Sequence, residues 1–225
     1  MAQSPNQLLA SLPAAVFAAI ESHLKLIELK LGDVIAETGS PVRRVYFPHS
    51  GAISLVVELG TDELIETAVV GRDGAVNAAA ALDGKVSINK TIVQLSGVAS
   101  TISVDRLRMI ADEFKSLRSA LIHSEQLLFA QTQQSVACNA AHTLQARMCR
   151  WLLRMHDLAV GDELFITQEF FAQMVGVRRP SLSLAANELQ KAGHIKYTRG
   201  RIRIINRASL ERLACECYRK VRDLY

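Results

Sequence analysis

Basic and hydroxyl side chains cluster near position 180, where their types and spacing suit contact with nucleic acid. Arg178, Arg179, Ser181 and Ser183 fall within six consecutive positions. A guanidinium can donate two hydrogen bonds to the major-groove acceptors of guanine, and a serine hydroxyl can donate or accept one. We predict that Arg179 reads a base and that Arg178, Ser181 and Ser183 support it. The alternative interpretation is a solvated pair of surface charges.

A pair of short helices is predicted to position these side chains. Thr167 is a good N-cap for a helix over residues 168–175, and Gly176 can adopt the left-handed conformation of a tight turn. A second helix then begins near Arg178, so that its first residues face outward. Thr167 and Gln168, at the start of the first helix, join the predicted DNA contacts. The inward positions of this helix-turn-helix are Phe171, Val175, Val177, Leu182 and Ala185.

A small hairpin is predicted to follow the second helix. Residues 195–204 alternate apolar and polar side chains on either side of a turn at Arg199-Gly200. Arg199 and Arg201 lie at the tip and outer face of this hairpin, where they suit contact with phosphate. The whole segment 167–205 therefore predicts a winged helix-turn-helix.

The excess of basic charge is confined to this end of the chain. The 225 residues carry a net charge of +4, with −3 on residues 1–138 and +7 on residues 139–225. Such an asymmetry favours an anionic partner for the last third of the chain, although a solvated basic face would give the same count.

Export and membrane insertion are not expected. The N-terminus lacks a basic stretch followed by an apolar one, and no apolar run reaches the length of a membrane span. We therefore expect a cytoplasmic protein without a membrane partner.

The cysteine pattern does not indicate a metal centre. The four cysteines are Cys138, Cys149, Cys215 and Cys217, and none is in a CxxC pair. An iron–sulfur or structural zinc site needs about four ligands with short paired spacings. Cys138 and His142 are one helical turn apart, but two ligands are too few, so we expect them to be packing residues.

The remainder of the chain divides into a β-rich part and a helical part. Short β-like runs separated by turn residues occupy residues 25–103 and predict an antiparallel sandwich or barrel. A long helix over residues 116–136 carries two rows of apolar residues with heptad spacing. One row could pack on the β-rich part and the other on a partner helix. The expected dimer residues are Leu121, Leu128, Ile122 and Phe129.

The layout resembles the CRP/FNR family of bacterial transcription regulators over nearly the whole chain. The segments that carry the resemblance are RVYFPHSGAISLV, AVVGRDGAV and VGVRRPSLSLAANELQKAGHIKYTRGRIRI. The resemblance implies an α+β fold with a cyclic-nucleotide-binding-like β-roll (1–115), a dimerisation helix (116–138) and a winged helix-turn-helix domain (139–225). It also implies a homodimer on a palindromic operator of double-stranded DNA, with RNA polymerase as a further candidate partner.

The candidate effector pocket departs from the family pattern. The family's cyclic-AMP pocket has a Gly-Glu pair followed by an Arg-Ser or Arg-Thr pair. The corresponding positions are Gly71, Arg72 and Asp73, and then Asn89 and Lys90. A cation replaces the carboxylate, and a lysine cannot pair with phosphate through two hydrogen bonds as arginine does. Cyclic AMP is therefore not the expected effector.

No cofactor is expected either. The oxygen-sensing branch of the family uses an N-terminal cysteine cluster, whereas the first cysteine here is Cys138. Haem-sensing branches need an axial histidine; His23 and His49 are candidates, but a lone histidine is more often a surface or core residue.

The recognition helix departs as well. The family's Arg-Glu-Thr start is Arg179-Pro180-Ser181 here, which removes a carboxylate that could accept a hydrogen bond from cytosine. The predicted function is a sequence-specific DNA-binding transcription regulator whose operator differs from that of the best-known members. The alternative is an effector-binding or scaffold protein without specific DNA contact. An enzyme is not expected, because no catalytic triad, carboxylate pair or phosphate loop is evident.

Overall fold

The computed structural model describes residues 4–60 and 63–225. Its contacts divide the chain into two compact units. The first consists of the residues up to Leu55 together with Val69–Phe129, and the second consists of Val56–Ala68 together with Ala130–Tyr225. Val56–Ala68, which lies within the predicted β-rich part of the sequence, thus groups with the C-terminal residues.

The first unit is rich in β-strands, as the turn spacing predicts. The elements up to residue 113 are α1 (Gln7–Ala10), α2 (Ala14–Glu21), β1 (Lys25–Leu29), β2 (Val34–Ala36), β3 (Arg44–Pro48), β4 (Ala52–Glu58), β5 (Leu64–Val70), a 3-10 helix (Ala78–Leu82), β6 (Lys90–Leu95), β7 (Gly97–Ser103) and α3 (Val104–Glu113).

Two sheets form the predicted sandwich. One has the strand order β1-β7-β3 and the other β2-β6-β4-β5. Both sheets contribute to one buried cluster that includes Leu29, Ile53, Val93 and Ala99. Because side chains alternate across a strand, the neighbours of these residues point the other way. In β3, for example, Val45 belongs to a second cluster that the flanking helices cover.

The second unit is mainly helical. Its elements, together with the long helix that enters it, are α4 (Lys115–Ala141), α5 (Leu144–Leu158), β8 (Glu163–Phe165), α6 (Gln168–Met174), α7 (Arg179–Lys191), β9 (Ile195–Thr198), β10 (Arg201–Ile204), α8 (Arg207–Leu213) and α9 (Cys217–Arg222). None of the helices described for the chain is both long and apolar enough to cross a bilayer.

Burial along β4 differs from the simple alternation that the sequence suggests. Val57 and Leu59 should share the buried face of Ile53, but they are 38 % and 45 % exposed. Val56, on the other face, is fully buried. Both faces of the strand are therefore covered as far as Val56, and the strand becomes exposed beyond that residue.

The C-terminal segment is two helices rather than one. The apolar spacing over 208–224 predicts a single helix, but Ala214 has an extended conformation and separates α8 from α9. The break brings Cys215 and Cys217 next to Cys138 and His142. The expectation that only two potential metal ligands come together is therefore wrong, because sequence spacing does not show which distant segments meet.

Candidate nucleic-acid interface

The turn between α6 and α7 has the geometry that the sequence predicts. The Thr167 hydroxyl oxygen accepts a hydrogen bond from the backbone N–H of Phe170 over 3.2 Å, which caps α6. Gly176 has φ +65°, a conformation that favours glycine. The Val177 N–H then donates to the Ala172 carbonyl over 2.9 Å and closes the end of the helix. Thr167 and Gly176 thus set where α6 begins and ends.

Buried side chains hold the helix pair together. Phe171 and Leu182 are fully buried, and Ala172 and Ala185 are small residues beside them. The ring of Phe171 lies 4.7 Å from that of Trp151 in α5, centroid to centroid. The pair therefore packs on α5 through aromatic contact, which holds α7 in place from behind.

The first turn of α7 is exposed. Arg178 is the N-cap residue with an extended backbone, and Arg179 and Pro180 begin the helix. Arg178, Arg179, Pro180 and Ser181 are all exposed. Their side chains are available to a ligand in front of the helix, and the helix N-terminus adds backbone N–H groups that attract anions.

Ser183 and Gln168 are hydrogen-bonded to each other between the two helices. The Ser183 hydroxyl donates a hydrogen bond to Oε1 of Gln168 over 2.8 Å. Ser183 is half-buried at this contact. This bond joins α7 to α6. It therefore helps to fix the orientation of the two helices relative to each other.

Leu184 is a residue of this face that sequence reasoning did not assign to DNA contact. Its side chain is 66 % exposed, one turn beyond the start of α7. Its spacing of three from Ser181 on a helix would have indicated the same face. An exposed leucine there can make apolar contact with a thymine methyl group.

The wing is a three-stranded sheet with the order β8-β10-β9. Arg199 and Gly200 connect its hairpin with φ values of +42° and +78°, as in a two-residue type I′ turn. Arg199 and Arg201 are exposed, and the Arg201 guanidinium lies 5.0 Å from the centre of the Phe165 ring. The ring limits the positions that Arg201 can adopt.

A hydrogen bond from Tyr197 joins the wing to the segment just before the helix pair. Its hydroxyl donates to the Ile166 carbonyl over 3.1 Å. Burial raises the pKa of Tyr197 to about 12, although the positive charge of Arg179 opposes the shift. The phenol is therefore a neutral donor at physiological pH, and Arg179 is close enough to it to interact electrostatically.

Acidic residues border the arginine pair on one side. Arg178 and Arg179 line a cavity of about 430 Å³ together with Glu63, Glu169 and Gly176. The neighbouring Ile65 comes within 3.8 Å of the position that a side chain on Gly176 would occupy. The end of the β4–β5 hairpin is thus close to the turn of the helix pair.

The candidate effector residues have partners within the first unit. Oδ1 of Asp73 accepts a hydrogen bond from the Gly71 N–H over 3.1 Å, and Lys90 lies 3.2 Å from the Glu37 carboxylate. Arg72 is exposed, and the carbonyl of Asn89 accepts from the Ser87 hydroxyl. Two cavities of this unit, beside Arg106 and Asn77, are lined by other residues.

The haem candidates lie elsewhere in the same unit. The His49 ring is 2.9 Å from the Ser100 hydroxyl, and burial lowers its pKa. His23 lines the cavity beside Arg106.

The two apolar rows of α4 differ in burial. Leu121 is fully buried in the helix-covered cluster and Leu128 packs on the cluster between the sheets. Ile122 and Phe129 are 42 % and 64 % exposed, and Val136 continues their row at 65 %. Leu121 is therefore a core residue, and the exposed row is the one available to a partner.

The chain is similar to known proteins both in the sequence of its C-terminal part and in its fold. Residues 146–213 match the model of the Crp-like helix-turn-helix domain. The structure of FixK2 from Bradyrhizobium japonicum has a TM-score of 0.71 at 15 % identity, with 85 % of this chain and 98 % of that chain covered. No curated protein sequence matches the chain.

Two further structures have the same fold. TTHB099, a CRP-family transcriptional regulator of Thermus thermophilus, has a TM-score of 0.70 at 21 % identity, covering 84 % of this chain and 96 % of its own. The c-di-GMP-responsive global regulator CLP of Xanthomonas campestris has a TM-score of 0.67 at 16 % identity, covering 85 % and 99 %. These proteins are transcription regulators rather than enzymes.

Proposed function

We propose that this chain, which has a Crp-like helix-turn-helix domain at residues 146–213 within the fold of CRP/FNR transcription regulators, is a sequence-specific DNA-binding regulator. The observation that carries the proposal is the first turn of α7, where Arg179 and Ser181 are exposed beside Arg178. The helix pair that presents them is held by the fully buried Phe171 and Leu182. Such a helix start is the part of a helix-turn-helix that reaches base edges.

Arg179 is the proposed base reader. Its guanidinium can bond both O6 and N7 of a guanine, while Ser181 supplies an adaptable donor or acceptor. Pro180 occupies the position where the family has a carboxylate, so a cytosine contact is lost. Leu184 adds an apolar contact that favours thymine.

The wing and the N-cap of α6 supply phosphate contacts. Arg199 and Arg201 are exposed on the hairpin, and Thr167 lies at the N-terminus of α6. Contacts of this kind hold the protein in register on the duplex without reading sequence. They should account for most of the salt dependence of binding.

The proposed active species is a homodimer. The row formed by Ile122, Phe129 and Val136 is exposed on α4 and has the heptad spacing of a two-helix seam. A twofold dimer presents two recognition helices in opposite orientations, which requires a palindromic operator.

Cyclic AMP is proposed not to be an effector of this protein. Arg72 is exposed at the position where the family places a carboxylate for ribose, and Lys90 is paired with Glu37. Calorimetry with cyclic AMP should therefore give no saturable heat. Micromolar binding would contradict this proposal.

The test of the central proposal is selection of binding sites from a random DNA pool with the full-length protein at physiological salt. We expect a palindromic consensus and a dissociation constant in the range of about 10⁻⁸ to 10⁻¹¹ M for it, with much weaker binding to unrelated DNA. Equal, salt-sensitive binding to all sequences would instead support the effector-binding or scaffold function.

A further inference from the structure

Four potential metal ligands from two distant segments converge in the C-terminal unit. Cys138 lies in the last turn of α4, and His142 follows the end of that helix. Cys215 lies in the break between α8 and α9, and Cys217, on the other side of Glu216, is the first residue of α9. The three sulfur atoms and the histidine nitrogen all lie within 4.8 Å of one another.

The distances suit a single ion. The sulfur atoms of Cys138 and Cys215 are 3.5 Å apart, and Sγ of Cys217 is 3.7 Å from Nδ1 of His142. Tetrahedral Zn²⁺, with Zn–S near 2.3 Å and Zn–N near 2.0 Å, places neighbouring ligand atoms roughly 3.5–3.8 Å apart. An iron–sulfur cluster inserts several irons and sulfides between its cysteines and needs a wider set of ligands.

The histidine is held with the correct nitrogen toward the thiols. Nε2 of His142 is 3.2 Å from Oε2 of Glu216. A carboxylate at this nitrogen keeps the proton on Nε2 and leaves the lone pair of Nδ1 directed at the cysteines. The same arrangement of carboxylate, histidine and metal recurs in protein metal sites.

The surroundings enclose the sulfur atoms. Cys138, Cys215 and Cys217 are 0 %, 8 % and 1 % exposed, so bulk water has little access to the sulfur atoms. Nε2 of Gln134 donates to Sγ of Cys217 over 3.0 Å. Arg150 also acts electrostatically on Cys138. Three thiolates around a divalent ion carry a net charge of −1, which a nearby arginine offsets.

We propose that Cys138, His142, Cys215 and Cys217 bind one Zn²⁺ ion in a closed tetrahedral site. Three sulfurs and one nitrogen fill the coordination sphere, as in structural rather than catalytic zinc sites. The two ligand pairs enclose residues 146–213, the matched helix-turn-helix domain. The ion therefore clamps the first and last segments of that domain to each other.

The proposal is tested on the full-length protein purified under reducing conditions. Elemental analysis should find one Zn²⁺ per chain. After removal of the metal by a chelator, titration with Co²⁺ should produce the visible absorption of tetrahedral Co²⁺ together with a thiolate-to-cobalt charge-transfer band. Saturation at one equivalent supports the site. Failure to bind either ion, or an octahedral cobalt spectrum, would overturn it.

Variants separate the site from adventitious metal. Cys138→Ser and Cys215→Ser should abolish stoichiometric binding, whereas Cys149→Ser alters a fully buried thiol outside the cluster and should retain it. Glu216→Gln changes an exposed side chain that is not a ligand and should weaken Zn²⁺ binding by about 10–100-fold without loss of the fold.

Equal metal content in wild type and in folded Cys138→Ser would overturn the assignment, and so would unchanged affinity in Glu216→Gln. Acid-labile sulfide and the absorption of a cluster would identify iron–sulfur chemistry and also overturn it. A Cys138–Cys215 disulfide in the reduced, metal-replete preparation would do the same. Because these measurements need no DNA, their outcome is independent of the proposed function.

Discussion

The indole Nε1 of Trp151 donates a hydrogen bond to Oε1 of Glu66 over 2.9 Å, and both side chains are buried. The bond joins α5 to β5. The same indole ring contacts Phe171 in the helix pair. One tryptophan thus connects the hairpin strand of the C-terminal unit to the helices that carry the proposed base reader.

Replacement of Trp151 by phenylalanine should lower the free energy of unfolding by about 2–3 kcal/mol. The variant keeps an aromatic ring but loses the donor and part of the buried volume. Glu66→Gln keeps an oxygen acceptor and should cost less. Denaturant titration measures the free energy of unfolding of both variants. Equal losses in the two would show that the lost hydrogen bond does not explain the effect of Trp151→Phe.

Arg179→Ala should relax specificity at one guanine and cost roughly 1–3 kcal/mol of operator binding, because a bidentate base contact disappears. Repeated site selection with the variant measures the preference at each position. Lys191→Ala is the matched control, since it removes an exposed cation from the other end of α7. An unchanged base preference in Arg179→Ala would exclude the assigned role.

Arg199→Asn should separate stability from DNA binding. Arg199 has φ +42°, which asparagine tolerates better, so the free energy of unfolding should rise by about 0.5–1 kcal/mol. Loss of a cation should weaken binding to all DNA sequences and reduce the salt slope by about one. Arg199→Lys keeps both the charge and the strain and should resemble wild type. A sequence-dependent loss in Arg199→Asn would argue for a base contact instead.

Phe129→Glu should convert the proposed dimer to a monomer. The side chain is 64 % exposed in the row with Ile122, and a charge in a two-helix seam repels its twofold copy. Sedimentation velocity at micromolar concentration measures the mass. Met109→Glu, a similarly exposed position in α3, is the control and should stay dimeric. Monomeric wild type, or dimeric Phe129→Glu, would refute this interface.

Glu125→Gln should raise stability in a pH-dependent way. Burial raises the pKa of Glu125 above its ordinary value, although its Oε1 accepts a hydrogen bond from the Ala79 N–H over 2.8 Å. The folded state thus favours the protonated form, and its contribution is lost as pH rises through the folded pKa. Glutamine keeps the acceptor without the charge.

The stability difference between Glu125→Gln and wild type should therefore be small near pH 4 and grow toward pH 7. Chemical denaturation across this pH range measures the difference in the free energy of unfolding. A part of the difference that is the same at every pH would come from the changed hydrogen bond to the Ala79 N–H. A difference that does not vary with pH would show that ionisation of Glu125 does not affect folding.

Local patterns were enough to predict the helix-turn-helix and the wing. Thr167 as a cap, Gly176 at a left-handed turn and the alternation around Arg199-Gly200 depend on backbone conformations that each residue type favours within a few positions. The turn spacing of residues 25–103 likewise predicted an antiparallel sandwich. These features are set by interactions between near neighbours in the chain.

Which apolar and polar groups meet depends on how distant segments pack. Leu121 and Ile122 are adjacent and similar, yet one is fully buried and the other 42 % exposed, because the β-rich core covers only one side of α4. Apolar spacing over 208–224 indicated one helix, but the chain breaks at Ala214 and places Cys215 and Cys217 against Cys138. Such convergence depends on the packing of segments more than seventy residues apart, which periodicity cannot encode.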